Sequence, residues 1–172
     1  MRKLTVAVFL LLIAISVGLI GCGGGGRNAE TSNNPPNTTA KTKATVFLSL
    51  NGSSIGATIG GADVTLRLPV GVSVKSSVSP ITDAGVVVAA SQMGANPYVY
   101  STYDASNNTV QLIVLSQIAT GFSSGSLATV HCDIASGYNP APALFAIVTS
   151  TVSDINFNLI PDMIASASVV IE

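Results

Sequence analysis

The chain has 172 residues, of which 48% are hydrophobic and only 9% are charged, and its formal net charge is −1. We expect no nucleic-acid partner, because nucleic-acid affinity depends on clustered lysine and arginine contacts to phosphate. The apolar fraction excludes a wholly disordered chain. Abundant Val, Ser, Thr and Gly beside scarce Lys, Glu and Arg argue against a helical protein.

The first 22 residues have the pattern of an export signal. Arg2 and Lys3 precede an uncharged run, residues 4–20, which is too short to cross a hydrocarbon core of ~30 Å comfortably. The run closes on Leu-Ile-Gly-Cys at residues 19–22, which resembles the lipobox of bacterial lipoproteins. The alternative is a plain signal peptide or an N-terminal membrane helix in which the cysteine is incidental.

The lipobox resemblance implies a membrane anchor. Residues 1–21 would be a signal peptide that is cleaved, and Cys22 would carry diacylglycerol on sulfur and an acyl group, such as palmitate, on its new amine. Two or more acyl chains hold a protein firmly on a membrane, whereas one holds it weakly. Gram-negative lipoproteins kept at the inner membrane typically have Asp after the cysteine, so Gly23 favours the outer membrane.

Composition divides the rest of the chain into a linker and one domain. Residues 22–43 are rich in Gly, Asn, Thr and Pro and carry no large apolar side chain, so we expect a spacer without fixed structure. Residues 44–172 suit a single domain, which at that size needs no metal or disulfide to fold.

Apolar side chains recur at alternate positions along this domain, which is typical of half-buried strands. The clearest run lies in residues 64–75, where every second residue is apolar: Val64, Leu66, Leu68, Val70, Val72 and Val74. Pro69 and Gly71 interrupt the run. Because proline donates no ladder hydrogen bond, we expect two short strands joined by a kink, with one face buried.

Further strands are predicted at residues 45–50, 85–90, 99–103, 109–115, 128–134, 144–149 and 165–172. The uninterrupted apolar run of residues 85–90 is expected to be buried on both faces or at a sheet centre. A turn is predicted at Asn51-Gly52 and a hairpin loop at residues 104–108. Residues 152–163 have no clear pattern. Eight or nine short strands without a long helix predict an all-β fold, a β-sandwich.

Several motifs of the domain together resemble a cohesin-type domain. They are the glycine-rich lead-in and strand of residues 59–66 with the bend of residues 68–72, the Gly-Ser-Leu-Ala-Thr-Val strand of residues 125–130, and an Asp-containing turn near Asp154 before the last strand. The late turn normally reads Asp-x-x-Gly, whereas residues 154–157 lack the glycine. The resemblance implies a jelly-roll sandwich of about nine strands, related to carbohydrate-binding modules, and a dockerin as the partner.

The polar residues give little sign of catalysis. His131 and Cys132 are neighbours in a predicted strand and therefore face opposite sides, so they cannot act as a nucleophile and base. Cys132 is expected to be a small buried hydrophobe. The six aspartates are scattered without a calcium-loop or glycosidase spacing and are expected to be solvated turn residues: Asp63, Asp83, Asp104, Asp133, Asp154 and Asp162. No cofactor, metal or enzymatic activity is expected.

Three tyrosines are the candidate ligand-binding residues. Tyr98 and Tyr100 share one face of a predicted strand, and Tyr103 follows closely. Flat aromatic rings can stack on sugar rings, and ordinary sheet packing is the alternative. We therefore expect a lipid-anchored, non-catalytic binding module for a dockerin-like protein or a polysaccharide. The alternative is a structural spacer at the cell surface without a specific ligand.

Overall fold

The computed structural model describes residues 40–54, 56–75, 80–81, 85–94 and 96–172. The predicted signal peptide, Cys22, Gly23, most of the predicted linker and Asp83 lie outside these residues. Within them the strands are β1 (Lys43–Gly52), β2 (Ile59–Arg67), β3 (Val72–Val74), β4 (Val87–Ala89), β5 (Tyr98–Asp104), β6 (Thr109–Leu115), β7 (Gly125–Ile134), β8 (Ala146–Asp154) and β9 (Met163–Ile171). No helix among the described residues has the length and apolarity needed to cross a bilayer.

The nine strands form two antiparallel sheets. One has the order β3-β7-β1-β9, with β4 also pairing with β7, and the other has the order β5-β6-β2-β8. Alternate residues of both sheets point into one shared apolar core, which contains Val46, Leu48, Val64, Leu112 and Val130. The predicted all-β sandwich of about nine strands is therefore confirmed.

The interrupted run of residues 64–75 passes from one sheet to the other. Strand β2 ends at Arg67 in the four-stranded sheet, and β3 begins at Val72 in the five-stranded sheet. The expected kink is confirmed, and its consequence is a change of sheet. Val70, which the alternation placed in the core, is instead 76% exposed, because it lies in the connecting turn where the period of two no longer holds.

A strand does occur within residues 85–90, but the prediction that it is buried on both faces or at a sheet centre was wrong. Strand β4 covers only Val87–Ala89 and pairs with β7 alone, on the same side of β7 as β3. It is therefore an edge strand, and Val88 is 46% exposed. An apolar run predicts a buried strand only when other strands cover both its edges and its faces.

Three other predictions about where elements begin and end differ from the structure. Asn51 and Gly52 continue β1, where they pair with Ile164 and Met163, so the turn begins after them. The strand predicted from Leu144 begins instead at Ala146, after a 3₁₀ turn at Pro142–Leu144. The segment without a clear pattern contains the end of β8 and the start of β9.

The described domain begins slightly earlier than the sequence suggested. Lys43, assigned to the linker, is the first residue of β1. The backbone N–H groups of Thr42 and Lys43 both donate to the Glu172 carbonyl, at 2.7 and 3.0 Å. The first and last described strands therefore meet at one end of the sandwich, and the chain enters the domain there.

Candidate functional site

The outer surface of the four-stranded sheet is the best candidate for a binding site. Strand register places its outward residues in four rows, written from β5 to β8: Tyr98, Leu115 and Gly61; Tyr100, Ile113, Asp63 and Thr151; Thr102, Gln111, Thr65 and Thr149; Asp104, Thr109, Arg67 and Ala146. We call this surface the aromatic face. It is a continuous patch, because residues directly opposite in neighbouring strands lie about 5 Å apart.

One end of the aromatic face is apolar. Tyr98 lies opposite Leu115, and Tyr100 lies opposite Ile113. The two tyrosines remain 49% and 38% exposed. Large, rigid, half-exposed aromatic side chains present apolar area at a low cost in conformational entropy, and each hydroxyl stays available for a hydrogen bond.

The centre of the aromatic face is polar and carries the carboxylate of Asp63. Gln111 Nε2 donates to both carboxylate oxygens of Asp63, at 3.1 Å each. Threonine side chains surround this pair on all four strands. Arg67 and Asp104 carry opposite charges in the last row, on either side of Thr109. The aromatic face thus combines one apolar end with a polar remainder that holds three charged side chains, Asp63, Asp104 and Arg67.

The outer surface of the five-stranded sheet differs. Its exposed positions combine short hydroxyl side chains (Ser73, Ser126, Ser166 and Ser168) with the large apolar side chains of Phe47, Val88, Ile164 and Val170. Phe47, 43% exposed, is the large aromatic side chain of this surface. Lys43 and Asp133 form an ion pair across β1 and β7. Tyrosine is enriched at protein interfaces, so the adjacent exposed pair Tyr98 and Tyr100 is what favours the aromatic face as the candidate site.

The three candidate tyrosines do not form one cluster. Tyr98 and Tyr100 share the aromatic face, as predicted. Tyr103 lies on the opposite side of β5, packs against the core, and donates from its hydroxyl to Asn108 Oδ1 at 2.7 Å. Partial burial raises the pKa of Tyr103, as do the nearby Cys132 and Asp104. Tyr103 is therefore positioned as a structural residue, and a binding role for the other two stays a prediction.

His131 and Cys132 take the positions that strand geometry predicts. His131 is exposed, with Nδ1 3.4 Å from Thr45 Oγ1, and Cys132 is 2% exposed in the core. Burial, and then the charge of Asp133, raise the pKa of the Cys132 thiol to about 12. The thiolate, which is the nucleophilic form, is therefore suppressed at neutral pH.

The aspartates of the described residues have two kinds of environment. Asp162 lies in a turn as expected, whereas Asp104 and Asp154 end strands β5 and β8 and accept hydrogen bonds from the turns that follow. Hydrogen bonds from Asn107 and Ser106 lower the pKa of Asp104, and hydrogen bonds from Asn158 lower that of Asp154. The turn prediction was wrong for Asp63 and Asp133, which lie on strands and pair with Gln111 and Lys43. No group of three His, Cys, Asp or Glu side chains suited to a metal ion occurs among the described residues.

Two exposed apolar clusters were not predicted from the sequence. One surrounds a cavity of about 360 Å³ between the β6–β7 and β8–β9 connections and includes Ile118, Ile155 and Phe157. The other lines a groove of about 450 Å³ at the opposite end and includes Val70, Tyr138 and Leu144. Both lie in connections rather than strands, where no periodic pattern separates exposed from buried residues.

Solved cohesin structures share the fold of this domain. A type II cohesin domain from the cellulosome of Acetivibrio cellulolyticus aligns with a TM-score of 0.51 at 11% identity, covering 76% of this chain and 86% of that chain. A chain of a type II cohesin–X–dockerin complex from the same organism aligns with a TM-score of 0.50 at 11% identity, covering 70% and 83%. The amino-acid sequence matches no family profile and no curated protein at a significant level. The domain therefore has the cohesin-like β-sandwich that its motifs predicted.

Proposed function

We propose that this domain is a non-catalytic docking module that binds a dockerin-like protein through the aromatic face. The observation that carries the proposal is the surface formed by Tyr98, Tyr100 and their neighbours on β6, beside a polar, threonine-rich centre. The fold supports a protein partner, since one structure of the same fold comes from a cohesin–X–dockerin complex.

The aromatic pair is expected to dominate the affinity. Hot spots of protein interfaces are enriched in tyrosine and lie near the centre of the buried surface, surrounded by residues that contribute little. Tyr98 and Tyr100 fit the enrichment in tyrosine, and they lie on the edge strand β5 opposite Leu115 and Ile113, so a partner must cover this corner of the face. The threonines of the centre offer hydroxyl groups for hydrogen bonds, and the Asp63 carboxylate requires a donor from the partner when it is buried.

The test combines capture with matched variants. The immobilised full chain captures polypeptides from cells of the organism that makes it, and each candidate is then produced pure and titrated. We expect a pure polypeptide to bind the wild type and the Phe47→Ala variant equally. Tyr98→Ala/Tyr100→Ala should weaken binding about 30-fold or more, since a single hot spot contributes ≥ 2 kcal/mol. Phe47 is the control because it is an equally exposed aromatic residue on the other outer surface.

Two results would contradict the docking proposal. A pure partner that binds the double tyrosine variant as tightly as the wild type would place its site elsewhere. A glycan array that gives tyrosine-dependent binding, with no polypeptide captured, would favour the polysaccharide alternative. If neither polypeptide nor glycan binds, the domain is a spacer.

We further propose that Cys22 carries lipid and that Gly23 directs the chain to the outer membrane. The support is the Leu-Ile-Gly-Cys sequence at residues 19–22 after an uncharged apolar run. In cells fed labelled palmitate, the wild-type chain should become labelled, and Cys22→Ser should not. Cys132→Ser is the matched control, because that thiol is buried and should leave the label unchanged. A labelled Cys22→Ser chain would overturn the anchor.

A further inference from the structure

An apolar groove lies at one end of the sandwich, between the β2–β3 turn and the β7–β8 connection. It has a volume of about 450 Å³ and is lined mainly by apolar atoms. Val70 is 76% exposed, Leu144 57% and Tyr138 46%. We call these three side chains the entry patch. Exposed apolar clusters occur at sites that contact other proteins or membranes, so the entry patch is a candidate for such a contact.

The entry patch lies where the chain enters the domain. The N–H of Ala135 donates to the carbonyl of Gly71 at 2.8 Å, and the N–H of Ile134 donates to the carbonyl of Thr42 at 2.9 Å. Both connections that carry the patch are therefore tied to the start of β1. The other apolar cluster, around Phe157, lies at the far end of the sandwich, beyond the last residues of β1.

The length of chain before β1 limits what can reach this end. Only 20 residues separate Cys22 from Lys43. Strand β1 itself has 10 residues and so spans about 33 Å. Along the chain, the entry patch is therefore nearer to Cys22 than the far end of the domain is, by the length of β1.

The chemistry of the patch suits the surface of a bilayer. Val70 and Leu144 are apolar, and Tyr138 adds an aromatic ring with a hydroxyl, a side chain that is enriched at membrane interfaces. Arg67 lines the same groove, and its guanidinium can meet the phosphate of a lipid headgroup. Lys41 lies at the same end, with Nζ 2.8 Å from the Ile171 carbonyl, and adds positive charge towards anionic lipid.

We propose that the entry patch rests on the membrane to which Cys22 is anchored, so that the domain has a preferred orientation instead of turning freely on its linker. The inference depends on the proposed lipid anchor. The patch is too small to hold the domain on a bilayer alone, but a tether raises its effective concentration at the surface to the millimolar range. In that orientation the far end of the sandwich points away from the lipid, and the aromatic face stands beside it, open to a partner.

The absence of tryptophan from the chain allows a direct test. Leu144→Trp places a single indole in the entry patch, and Phe157→Trp places one at the far end as the matched control. The full chain, isolated with its lipid, is reconstituted in vesicles of phosphatidylcholine and phosphatidylglycerol with brominated acyl chains, and flotation separates bound chain. We expect the fluorescence emission maximum of the Leu144→Trp indole to shift to shorter wavelength and its emission to be quenched by the brominated acyl chains. The Phe157→Trp indole should do neither.

A second variant tests whether the patch causes the contact. Adding Val70→Asp to Leu144→Trp should restore the indole emission while the chain still floats, since a buried carboxylate opposes contact with lipid. Equal quenching of both indoles, or no quenching in floated chain, would overturn the orientation alone. A blue shift without bromine quenching would show that another copy covers the patch, and would also overturn it. If the full chain does not float with the vesicles, both the proposed lipid anchor and the proposed orientation are contradicted.

Discussion

Gly71 shows how one residue controls the change of sheet between β2 and β3. Its φ is +79°, in the left-handed region that side chains disfavour. A Cβ built on it would overlap the ring of Tyr138. The turn therefore needs glycine for two independent reasons, backbone conformation and the packing of an aromatic ring against the backbone.

The Gly71→Ala variant separates these reasons when it is compared with Gly137→Ala. Gly137 has a similar φ of +84°, but a Cβ there meets no atom within 4 Å. We expect Gly137→Ala to lower the free energy of unfolding by about 1–2 kcal/mol through backbone strain. Gly71→Ala should lower it by about 2–4 kcal/mol, because steric overlap is added. Urea unfolding followed by circular dichroism measures both, and equal losses would refute the role of the Tyr138 contact.

Phe157 occupies the position where the motif of the late turn normally has glycine. Its φ is +64°, and the side chain is 78% exposed. The turn is held by the Asp154 carboxylate, which accepts hydrogen bonds from the N–H groups of Asn156 and Asn158, at 2.8 Å each. The missing glycine is thus a local strain that the fold tolerates, and the turn keeps its conformation.

Replacing Phe157 by Gly should therefore raise the free energy of unfolding, by about 0.5–1 kcal/mol, since relief of strain exceeds the entropy that glycine loses. Asn108→Gly is the contrasting variant. Asn108 also has a positive φ, 52°, but its side chain donates to the Leu68 and Pro69 carbonyls and accepts from Tyr103. The Asn108→Gly variant should have a lower free energy of unfolding, because the hydrogen bonds that it loses contribute more than the backbone strain that it relieves. If Phe157→Gly is destabilising in thermal unfolding, the strain argument is wrong.

At the scale of strands, the alternation of apolar and polar residues predicted the buried face well for strands that have one solvent-exposed face. Residues 128–134 show this, with Val130 and Cys132 buried and His131 exposed. It failed for β4, because a run of apolar residues does not reveal whether neighbouring strands cover it. It also missed the change of sheet after β2, which depends on a turn and not on a period.

The edges of the two sheets are linked by a hydrogen bond that no pattern reveals. Ala165 in β9 donates its backbone N–H to Ser150 Oγ in β8, at 2.9 Å. Both strands are the last in their sheets. The serine hydroxyl therefore satisfies a backbone donor that the ladder of β9 leaves unpaired, and it joins the two layers on that side.

Ser150→Ala should lower the free energy of unfolding by about 1–3 kcal/mol, because the Ala165 N–H, on a residue only 9% exposed, loses its acceptor. Ser168→Ala is the control, since Ser168 lies on the outer surface of the same strand, β9, and should change stability by less than about 0.5 kcal/mol. Hydrogen exchange should show faster exchange of the Ala165 amide in Ser150→Ala alone. Equal losses of stability in Ser150→Ala and Ser168→Ala would show that the hydrogen bond between Ala165 and Ser150 does not stabilise the fold.

At the scale of the whole molecule, the sequence predicted the class of fold but not the site. The order of the motifs indicated a cohesin-like sandwich, and the structure has that fold. Tyr98 and Tyr100 were found because strand alternation puts them on one face. Their neighbours Ile113 and Leu115 were missed, because pairing between β5 and β6 sets which residues lie side by side, and a single sequence does not show register.

The domain has two outer surfaces and two ends with different chemistry. The aromatic face carries the exposed tyrosine pair, whereas the outer surface of the five-stranded sheet exposes serines and four large apolar side chains. The entry patch and the Phe157 cluster mark opposite ends. A module that is held at one end can present a face beside that end to a soluble partner, so anchoring and docking are compatible in one small domain.

The most direct test of the account is methyl NMR of the full chain, labelled at isoleucine, during titration with the purified partner. Ile113 lies on the aromatic face, and Ile164, 60% exposed, lies on the opposite outer surface. We predict that the Ile113 methyl signal shifts or broadens while the Ile164 signal stays in place. Perturbation of Ile164 with an unchanged Ile113 would contradict docking through the aromatic face.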